Sequence, residues 1–323
     1  MAVSAAAAAD TERAGTGGKR PRSRRSGRWR TSLAFWGFVG PFLAGLMVFT
    51  FVPVVWSAYL SFFDAQNTVV PLAEDFVGFG NYVDMLTDRA FQDSLITFSV
   101  FAAFIVPLTF ACSLGLALML NKLRFMRAFF RSVFFLPFAC SYVVAALVWK
   151  MSIFNGVRYG LANSILDLFG IEDIAWLFNP NPPWYWLVIV SLRLWIQCGF
   201  YMILFIAALQ QIPEHLYEAA YVDGAKPGRQ TFWHITLPQL RATSVAVLML
   251  ILIAAYQAFD EFVNLIGNQA YARPPLVYLY YTALGTQQDL GRGSAGALIL
   301  ALIIAIVTLL QGRFLGFGNK EGR

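Results

Sequence analysis

The stretch "YEAAYVDGAKPGRQTFWHITLP", Tyr217–Pro238, places two carboxylates and two cations between long apolar segments. Pro213 is typical of a first helical position and Gly224 of a residue that ends a helix with positive φ. A helix of about eleven residues is therefore predicted, roughly 16 Å long at 1.5 Å per residue and too short to cross a bilayer. Pro227 can begin a second short helix, which Pro238 is expected to end. The pattern predicts a helix–turn–helix at a membrane surface.

The rest of the chain is strongly apolar. Of the 323 residues, 58% are hydrophobic and 13% are charged, whereas about a quarter of a soluble domain is charged. Because about 20 apolar residues span a bilayer as a helix, the charge-free windows predict six spans, near 33–62, 94–120, 130–152, 185–209, 242–266 and 293–315. Lipid offers backbone amides no partner, and a barrel would show weak alternation instead. The expected fold is an all-α polytopic membrane protein.

The basic residues predict the orientation of these spans. Eighteen of the 24 Lys and Arg lie in the tail before residue 31, the turn 122–131, the stretch 210–241 and the C-terminus; the opposing loops hold five. Because cytoplasmic loops carry the excess of Lys and Arg, both termini are expected in the cytoplasm. We expect a basic, disordered tail over 1–30 and a transmembrane domain over 31–318. Contact of the tail with anionic lipid is favoured over nucleic-acid binding.

The sequence contains no recognisable catalytic constellation. H-E-x-x-H, C-x-x-C and P-loop motifs are missing from it. "GRGSAG" at 291–296 matches a dinucleotide fingerprint, but no strand precedes it, so close helix packing is favoured. Cys112, Cys140 and Cys198 fall in predicted spans, where they are expected to pack as small apolar residues. The chain is predicted to be no enzyme and to hold no cofactor or metal.

The polar stretch resembles a known motif. Glu218-Ala219-Ala220, then three residues and Gly224, then Ile235-x-Leu237-Pro238 is similar to the EAA loop of binding-protein-dependent ABC importer permeases. The resemblance implies a type I importer transmembrane domain whose loop, residues 211–238 (hereafter the EAA loop), docks on a cytoplasmic ATPase. The coupling residues it implies are Glu218, Ala219, Ala220, Asp223, Gly224, Ile235, Leu237 and Pro238. Ten residues separate Gly224 from Ile235, one more than usual, which leaves the register of the second short helix open.

Other segments resemble carbohydrate permeases of the maltose-transporter type. They are "FVGFGNYVDML" after the first span, "RSVFFLPF" entering the third, "LQQIP" before the EAA loop and "AFDEFV" late in the fifth. The resemblance implies a plasma-membrane subunit paired with a second, different permease. It also implies a cytoplasmic ATPase dimer and an extracytoplasmic sugar-binding protein as partners.

Polar residues inside the spans suggest a substrate path, since intramembrane charge is usually functional. Arg193 and Gln197 follow each other at a step of four, and Gln257 and Glu261 are expected to share a face of the fifth span. The resemblance implies a path lined by Phe138, Tyr142, Arg193, Ile196, Gln197, Gln257, Ala258 and Glu261. Arg193 could alternatively pair with Glu261 or Asp260, or snorkel to the outer interface. Our hypothesis is an Arg193–Glu261 pair with which substrate competes.

These observations favour one permease subunit of an ATP-driven sugar importer. Import of glycerol phosphate or another polyol remains an alternative, because Arg193 could meet an anion. An ion-driven secondary transporter would explain the spans but leaves the EAA loop without a role. An intramembrane enzyme would need an acid–base or metal set, which the sequence does not show.

Overall fold

The computed structural model describes residues 25–123, 125–156, 160–286 and 288–314, and these divide into two units at Trp56–Ser57. Residues 1–24 of the predicted tail and 315–318 of the predicted domain lie outside the described residues. In the described ranges the structure is helical, with two isolated β-bridges, Phe63–Phe76 and Gln66–Asp289. The α-helices are α1 Arg25–Leu46, α2 Val52–Leu60, α3 Gly80–Thr87, α4 Arg89–Lys122, α5 Arg127–Phe135, α6 Tyr142–Val148, α7 Leu161–Asp167, α8 Tyr185–Leu209, α9 Glu214–Val222, α10 Arg229–Thr231, α11 Leu237–Gln239, α12 Arg241–Tyr256, α13 Asp260–Leu265, α14 Pro275–Leu284 and α15 Leu290–Phe314.

The first helix begins earlier than expected. Arg25–Leu46 includes six residues that we had assigned to the disordered tail. Arginine has a high helix propensity, so the helix of the apolar segment continues into the basic one. A π turn, Met47–Phe51, separates α1 from α2.

Among the described residues, four helical segments are long and apolar enough to cross a membrane, or six if each of two bent pairs forms one span. The fourth predicted span, 185–209, coincides with α8, and α4 and α15 exceed the predicted second and sixth spans by a few residues. The predicted third and fifth spans are not continuous helices. Both interrupted spans contribute residues to the candidate substrate path.

The third predicted span bends by 95° between Arg127–Ala139 and Tyr142–Ile153. Pro137 lies in a 3₁₀ turn, Leu136–Ala139, that ends the first half, because proline removes a backbone donor and disfavours the preceding α-helix. Cys140, in this break, is an exposed free thiol, whereas Cys198 is a buried one.

The crossing of α4 and α8 forms the centre of the hydrophobic core. Phe98, Phe101 and Ile105 of α4 and Leu192, Met202 and Phe205 of α8 are almost completely buried. Next to this crossing, α5 approaches α8 so closely that a Cβ added at Gly199 would overlap the carbonyl oxygen of Phe134. Only glycine allows this separation between the two backbones.

At the opposite end of α4, the small residues of "GRGSAG" allow close packing, as the sequence predicted. A Cβ at Gly291 would overlap the Phe63 carbonyl, and one at Gly296 would overlap Leu279 and Met85 side chains. The Asn81 amide donates to the carbonyls of Ser61, at 3.0 Å, and Phe63, at 2.8 Å. It therefore satisfies carbonyls that follow the end of α2.

Asp88 joins three elements at this end. Its carboxylate caps α4 by accepting from the Ala90 amide at 2.7 Å. It also accepts from the Tyr278 hydroxyl of α14 at 2.7 Å and lies 3.4 Å from the Arg292 guanidinium of α15. Carboxylates are favourable at helix N-termini, so one side chain both caps α4 and ties it to α14 and α15.

Candidate coupling loop and substrate path

The first arm of the EAA loop is a nine-residue helix, Glu214–Val222. Pro213 is its N-cap, with extended backbone, rather than its first helical residue. Gly224 has φ +85°, as predicted. The Gly224 amide donates to the Tyr221 carbonyl and the Ala225 amide to the Ala220 carbonyl, the paired bonds of a Schellman motif. The first arm is therefore a short helix whose C-terminal end is capped.

The second arm ends at Gln239, one residue after the end that the sequence predicts at Pro238. It runs through α10, a π turn at Phe232–Thr236, and α11 to Gln239, and it bends by 72° before α12. Within the π turn the Leu237 amide donates to the Phe232 carbonyl, five residues earlier. A π turn holds one more residue than an α turn, which widens the helix before Pro238 and relieves the clash that proline otherwise makes.

The structure shows the register that the extra residue leaves open in the sequence. Ile235 lies within the π turn, and Leu237 and Pro238 lie in the helical turn after it. The three motif residues therefore belong to one continuous arm.

The two arms are tied to each other on their inner side. The Tyr217 hydroxyl and the Thr236 hydroxyl lie 3.0 Å apart and share a hydrogen bond. Thr231 and Thr236 are buried, and the Leu240 side chain at the end of the loop is 0% exposed. Neither Tyr217 nor Thr236 was among the predicted coupling residues. The two positions are 19 residues apart, and no sequence pattern indicates that they are in contact.

The outer side of the loop is open. Glu218, Ala219, Asp223, Gly224 and Pro238 are exposed, and Ala220, Ile235 and Leu237 are half-buried. Two large apolar side chains join this surface, with Val222 88% and Trp233 55% exposed. Exposed large apolar side chains on a polar loop are candidates for contact with another protein. The structure thus places the predicted coupling residues on the two arms of one helical loop.

Arg193 of α8 pairs with Glu261 of α13 inside the protein. Nη1 of Arg193 donates to Oε1 of Glu261, and Nη2 donates to the backbone carbonyl of Ala254. Arg193 is 2% and Glu261 3% exposed, and the guanidinium lies 5.9 Å from the centre of the Phe101 ring. Pairing with Glu261 is confirmed, whereas snorkelling and pairing with Asp260, which is exposed, are wrong.

The Tyr142 hydroxyl lies beside the Gln197 side chain and within electrostatic range of Arg193 and Glu261. Gln197 is 7% exposed. The structure therefore brings together polar groups from three separate segments: α6, α8 and α13. Such a cluster at the bend of one span and the interruption of another can hydrogen-bond a polar solute.

The remaining predicted path residues are not part of this cluster. Phe138 stacks on Phe200, with ring centres 4.6 Å apart, and Ile196 is 1% exposed in the core. Gln257 and Glu261 do not share a helical face, because α12 ends at Tyr256 and α13 begins at Asp260. Between the helices, Gln257 is exposed and Ala258 is buried. Sequence periodicity assumes an unbroken helix, and here the helix is broken.

Across the described ranges, no group of three or more His, Cys, Asp or Glu could hold a metal ion. A bent helical membrane domain with a rigid helical loop and a buried polar cluster is the architecture of a transporter's membrane component.

Comparison with known proteins identifies the class. Residues 108–315 match the family "Binding-protein-dependent transport system inner membrane component", and the chain belongs to this family of ABC transporter permeases. It is a multi-pass protein of the plasma membrane.

Two curated relatives and one solved structure are similar over most of the chain. The trehalose/maltose transport system permease protein MalF of Thermococcus litoralis is 33% identical over 280 residues, 85% of this chain and 92% of the relative. The osmoprotective compounds uptake permease protein GgtC of Synechocystis sp. is 31% identical over 285 residues, 85% and 96%. A chain of a bacterial ABC transporter that imports alginate has a TM-score of 0.78 at 22% identity, with 92% of this chain and 100% of that chain covered. The last comparison supports the fold alone.

Proposed function

We propose that this chain is one of two different permease subunits of an ATP-driven sugar importer. In this proposal the chain has six spans, and both termini and the EAA loop lie in the cytoplasm. There the loop docks on a dimer of separate ATPase subunits, and an extracytoplasmic binding protein delivers the sugar. ATP hydrolysis belongs to the ATPase, so this chain is a transport subunit rather than an enzyme.

The observation that carries the proposal is the construction of the EAA loop. Its arms are bonded to each other through Tyr217 and Thr236, while the surface around Val222 and Trp233 is open. An isolated nine-residue helix is marginal in water, so this loop is supported by its second arm and presents a rigid surface. A rigid element transmits displacement from the ATPase to the adjoining α8 and α12, which a mobile loop would absorb.

The proposed substrate path runs past Phe138, Tyr142, Arg193, Ile196, Gln197, Gln257, Ala258 and Glu261. The polar cluster supports a neutral substrate, because Glu261 neutralises the charge of Arg193. Amide and hydroxyl groups hydrogen-bond sugar hydroxyls, and the exposed ring of Phe138 can stack on the apolar face of a sugar. The name of the MalF relative agrees with a sugar.

A polyol or another osmoprotectant is the second candidate substrate, since the GgtC relative is named for osmoprotective compounds. A phosphate ester is less favoured, because Arg193, the cation of the cluster, is already paired with Glu261. Uptake by membrane vesicles of maltose, trehalose, arabinotriose, glycerol and glycerol phosphate, each with and without ATP, separates these candidates from an ion-driven transporter.

Crosslinking tests the docking of the loop. In a chain without its native cysteines, Ala220→Cys should form crosslinks to the ATPase that co-purifies with the complex. Val83→Cys, whose native side chain is 58% exposed in α3, is the matched control on the opposite side of the membrane and should form none. Failure of Ala220→Cys to crosslink, or sugar uptake that persists after ATP depletion, would overturn the proposal.

A further inference from the structure

The interruption of the fifth span, Gln257–Phe259, has no local cause in the sequence. Residues 251–266 contain neither glycine nor proline before Gly267, and such residues are the usual causes of a break. Nevertheless α12 ends at Tyr256 and α13 begins at Asp260. Backbone groups without partners are strongly unfavourable inside a membrane. A contact from elsewhere in the fold must therefore support the interruption.

The backbone hydrogen bonds show that the Ala254 carbonyl loses its helical partner. In a continuous helix the Ala258 amide would donate to the Ala254 carbonyl. Here it donates instead to the Ala255 carbonyl at 3.1 Å. Nη2 of Arg193 donates to the Ala254 carbonyl in its place. A guanidinium from α8 thus satisfies a carbonyl, that of Ala254, whose helical backbone donor is lost at the interruption.

The other amino group of Arg193 contacts the far side of the interruption. Nη1 pairs with Glu261, which lies in the first turn of α13, where a carboxylate is favourable. One side chain is therefore bonded to both halves of the fifth span. We propose that Arg193 is a positioning residue that staples the two halves and holds Gln257 exposed between them.

This inference rests on the proposed sugar path and deepens it. Arg193 is 2% exposed and both of its terminal amino groups are engaged, so it makes no direct contact with the sugar. Gln257 is exposed and offers an amide that both donates and accepts. The staple differs from the hypothesis that substrate competes for the ion pair. In the staple the Arg193–Glu261 pair remains intact, and Gln257 contacts the sugar.

Hydrogen exchange of the assembled transporter in nanodiscs tests the staple without any substrate. Arg193→Met keeps a long side chain but removes every donor, and amides across 257–264 should exchange at least tenfold faster. Glu261→Gln removes only the ion pair, so the amides across 257–264 should also exchange faster than in the wild type, but by a smaller factor than in Arg193→Met. Asp260→Asn, at the neighbouring exposed carboxylate, is the matched control and should leave all of them unchanged.

A charge swap separates the staple from a simple ion pair. Arg193→Glu combined with Glu261→Arg restores opposite charges, but a glutamate at position 193 cannot donate to the Ala254 carbonyl. Exchange across 257–264 should therefore remain at least fivefold faster than in the wild type. Full restoration of protection by the swap, or unchanged exchange in both Arg193→Met and Glu261→Gln, would overturn the staple. If Arg193→Met does not fold, Glu261→Gln and the swap still decide.

Transport kinetics test the positioning of Gln257, using whichever of maltose, trehalose or arabinotriose the wild type imports. Gln257→Ala and Glu261→Gln should each raise the half-saturation concentration at least fivefold while the maximal rate changes less than twofold. The double variant should be no worse than Gln257→Ala, because both act through the same amide. Additive effects would contradict the staple as a positioning device. A wild type that imports no sugar would instead contradict the proposed function and leave the exchange result standing.

Discussion

Gly199 in α8 and Gly224 in the EAA loop both require glycine, but for different reasons. At Gly199 a Cβ would overlap the backbone carbonyl of Phe134, whereas at Gly224 the surrounding space is open and the constraint is φ +85°. The interior of the membrane domain is therefore fixed by close packing between backbones. The loop is fixed by its own backbone conformation and by a bond between its arms, and its outer surface is left free for another protein.

The largest expected effect comes from Gly199. Gly199→Ala should destabilise the protein by about 3 kcal/mol, because overpacking against a backbone atom cannot be relieved by a side-chain rotation. Gly115→Ala on α4, where a Cβ meets nothing within 4 Å, is the matched control. Thermal unfolding of the two variants in detergent measures the difference. Equal stability would mean that α5 and α8 do not approach as closely as the structure shows.

A substitution at Gly224 should affect coupling more than folding. Gly224→Val places a β-branched residue at positive φ, at a cost of about 1–2 kcal/mol or more, and should distort the Schellman end of the first arm. Gly224→Asn is the control, because asparagine tolerates this conformation. We expect ATP-driven uptake to fall at least tenfold in the first variant and to stay within twofold of wild type in the second. Normal uptake with valine would show that the turn is not needed for coupling.

The bond between the arms is expected to have a smaller effect. Tyr217→Phe removes the hydroxyl that lies 3.0 Å from Thr236, a loss of about 1 kcal/mol. ATP hydrolysis should become less dependent on transport substrate, because the first arm moves more freely. Tyr221→Phe, at a side chain that is 46% exposed, is the control and should behave as wild type. Identical coupling ratios in the two variants would show that the arms act independently.

The smallest effect is a pH dependence far from both glycines. Partial burial raises the pKa of Asp88, but hydrogen bonds from Tyr278, Ala90 and Phe91 and the charge of Arg292 outweigh it, so the pKa lies below its ordinary value of 3.8. A depressed pKa adds stability that is present above the unfolded-state value and lost as pH falls through the folded-state value. The unfolding temperature of the wild type should therefore fall more steeply below about pH 4 than that of Asp88→Asn. Parallel curves would show that Asp88 does not stabilise the ends of α4, α14 and α15.

Much of the architecture follows from the sequence alone. Bilayer thickness fixes the length of an apolar span, so α8 was predicted to the residue, and α4 and α15 nearly so. Gly224 was predictable because positive φ at a helix end strongly favours glycine. The close packing at 291–296 was also predictable, because small residues let membrane helices approach each other closely.

The sequence was less informative where tertiary contacts override local preference. The π turn Phe232–Thr236, just before the predicted helix end at Pro238, has no signal in the sequence. The fifth span breaks at Gln257 although it contains no breaker, because Arg193, 61 residues from Ala254, replaces a backbone donor. Periodicity could therefore suggest that Arg193 and Glu261 meet, but it could not predict that the helix between Tyr256 and Asp260 is interrupted.

The contact between Asn81 and Gly291 has a consequence for biosynthesis. The amide of Asn81 completes the turn after α2 from only about twenty residues away, so this early hairpin can close while translation continues. Gly291 then brings α15, which is synthesised later, directly onto that turn. Assembly at this end of the bundle thus joins segments that are synthesised far apart in time, and a chain truncated before α15 would leave the turn after α2 uncovered.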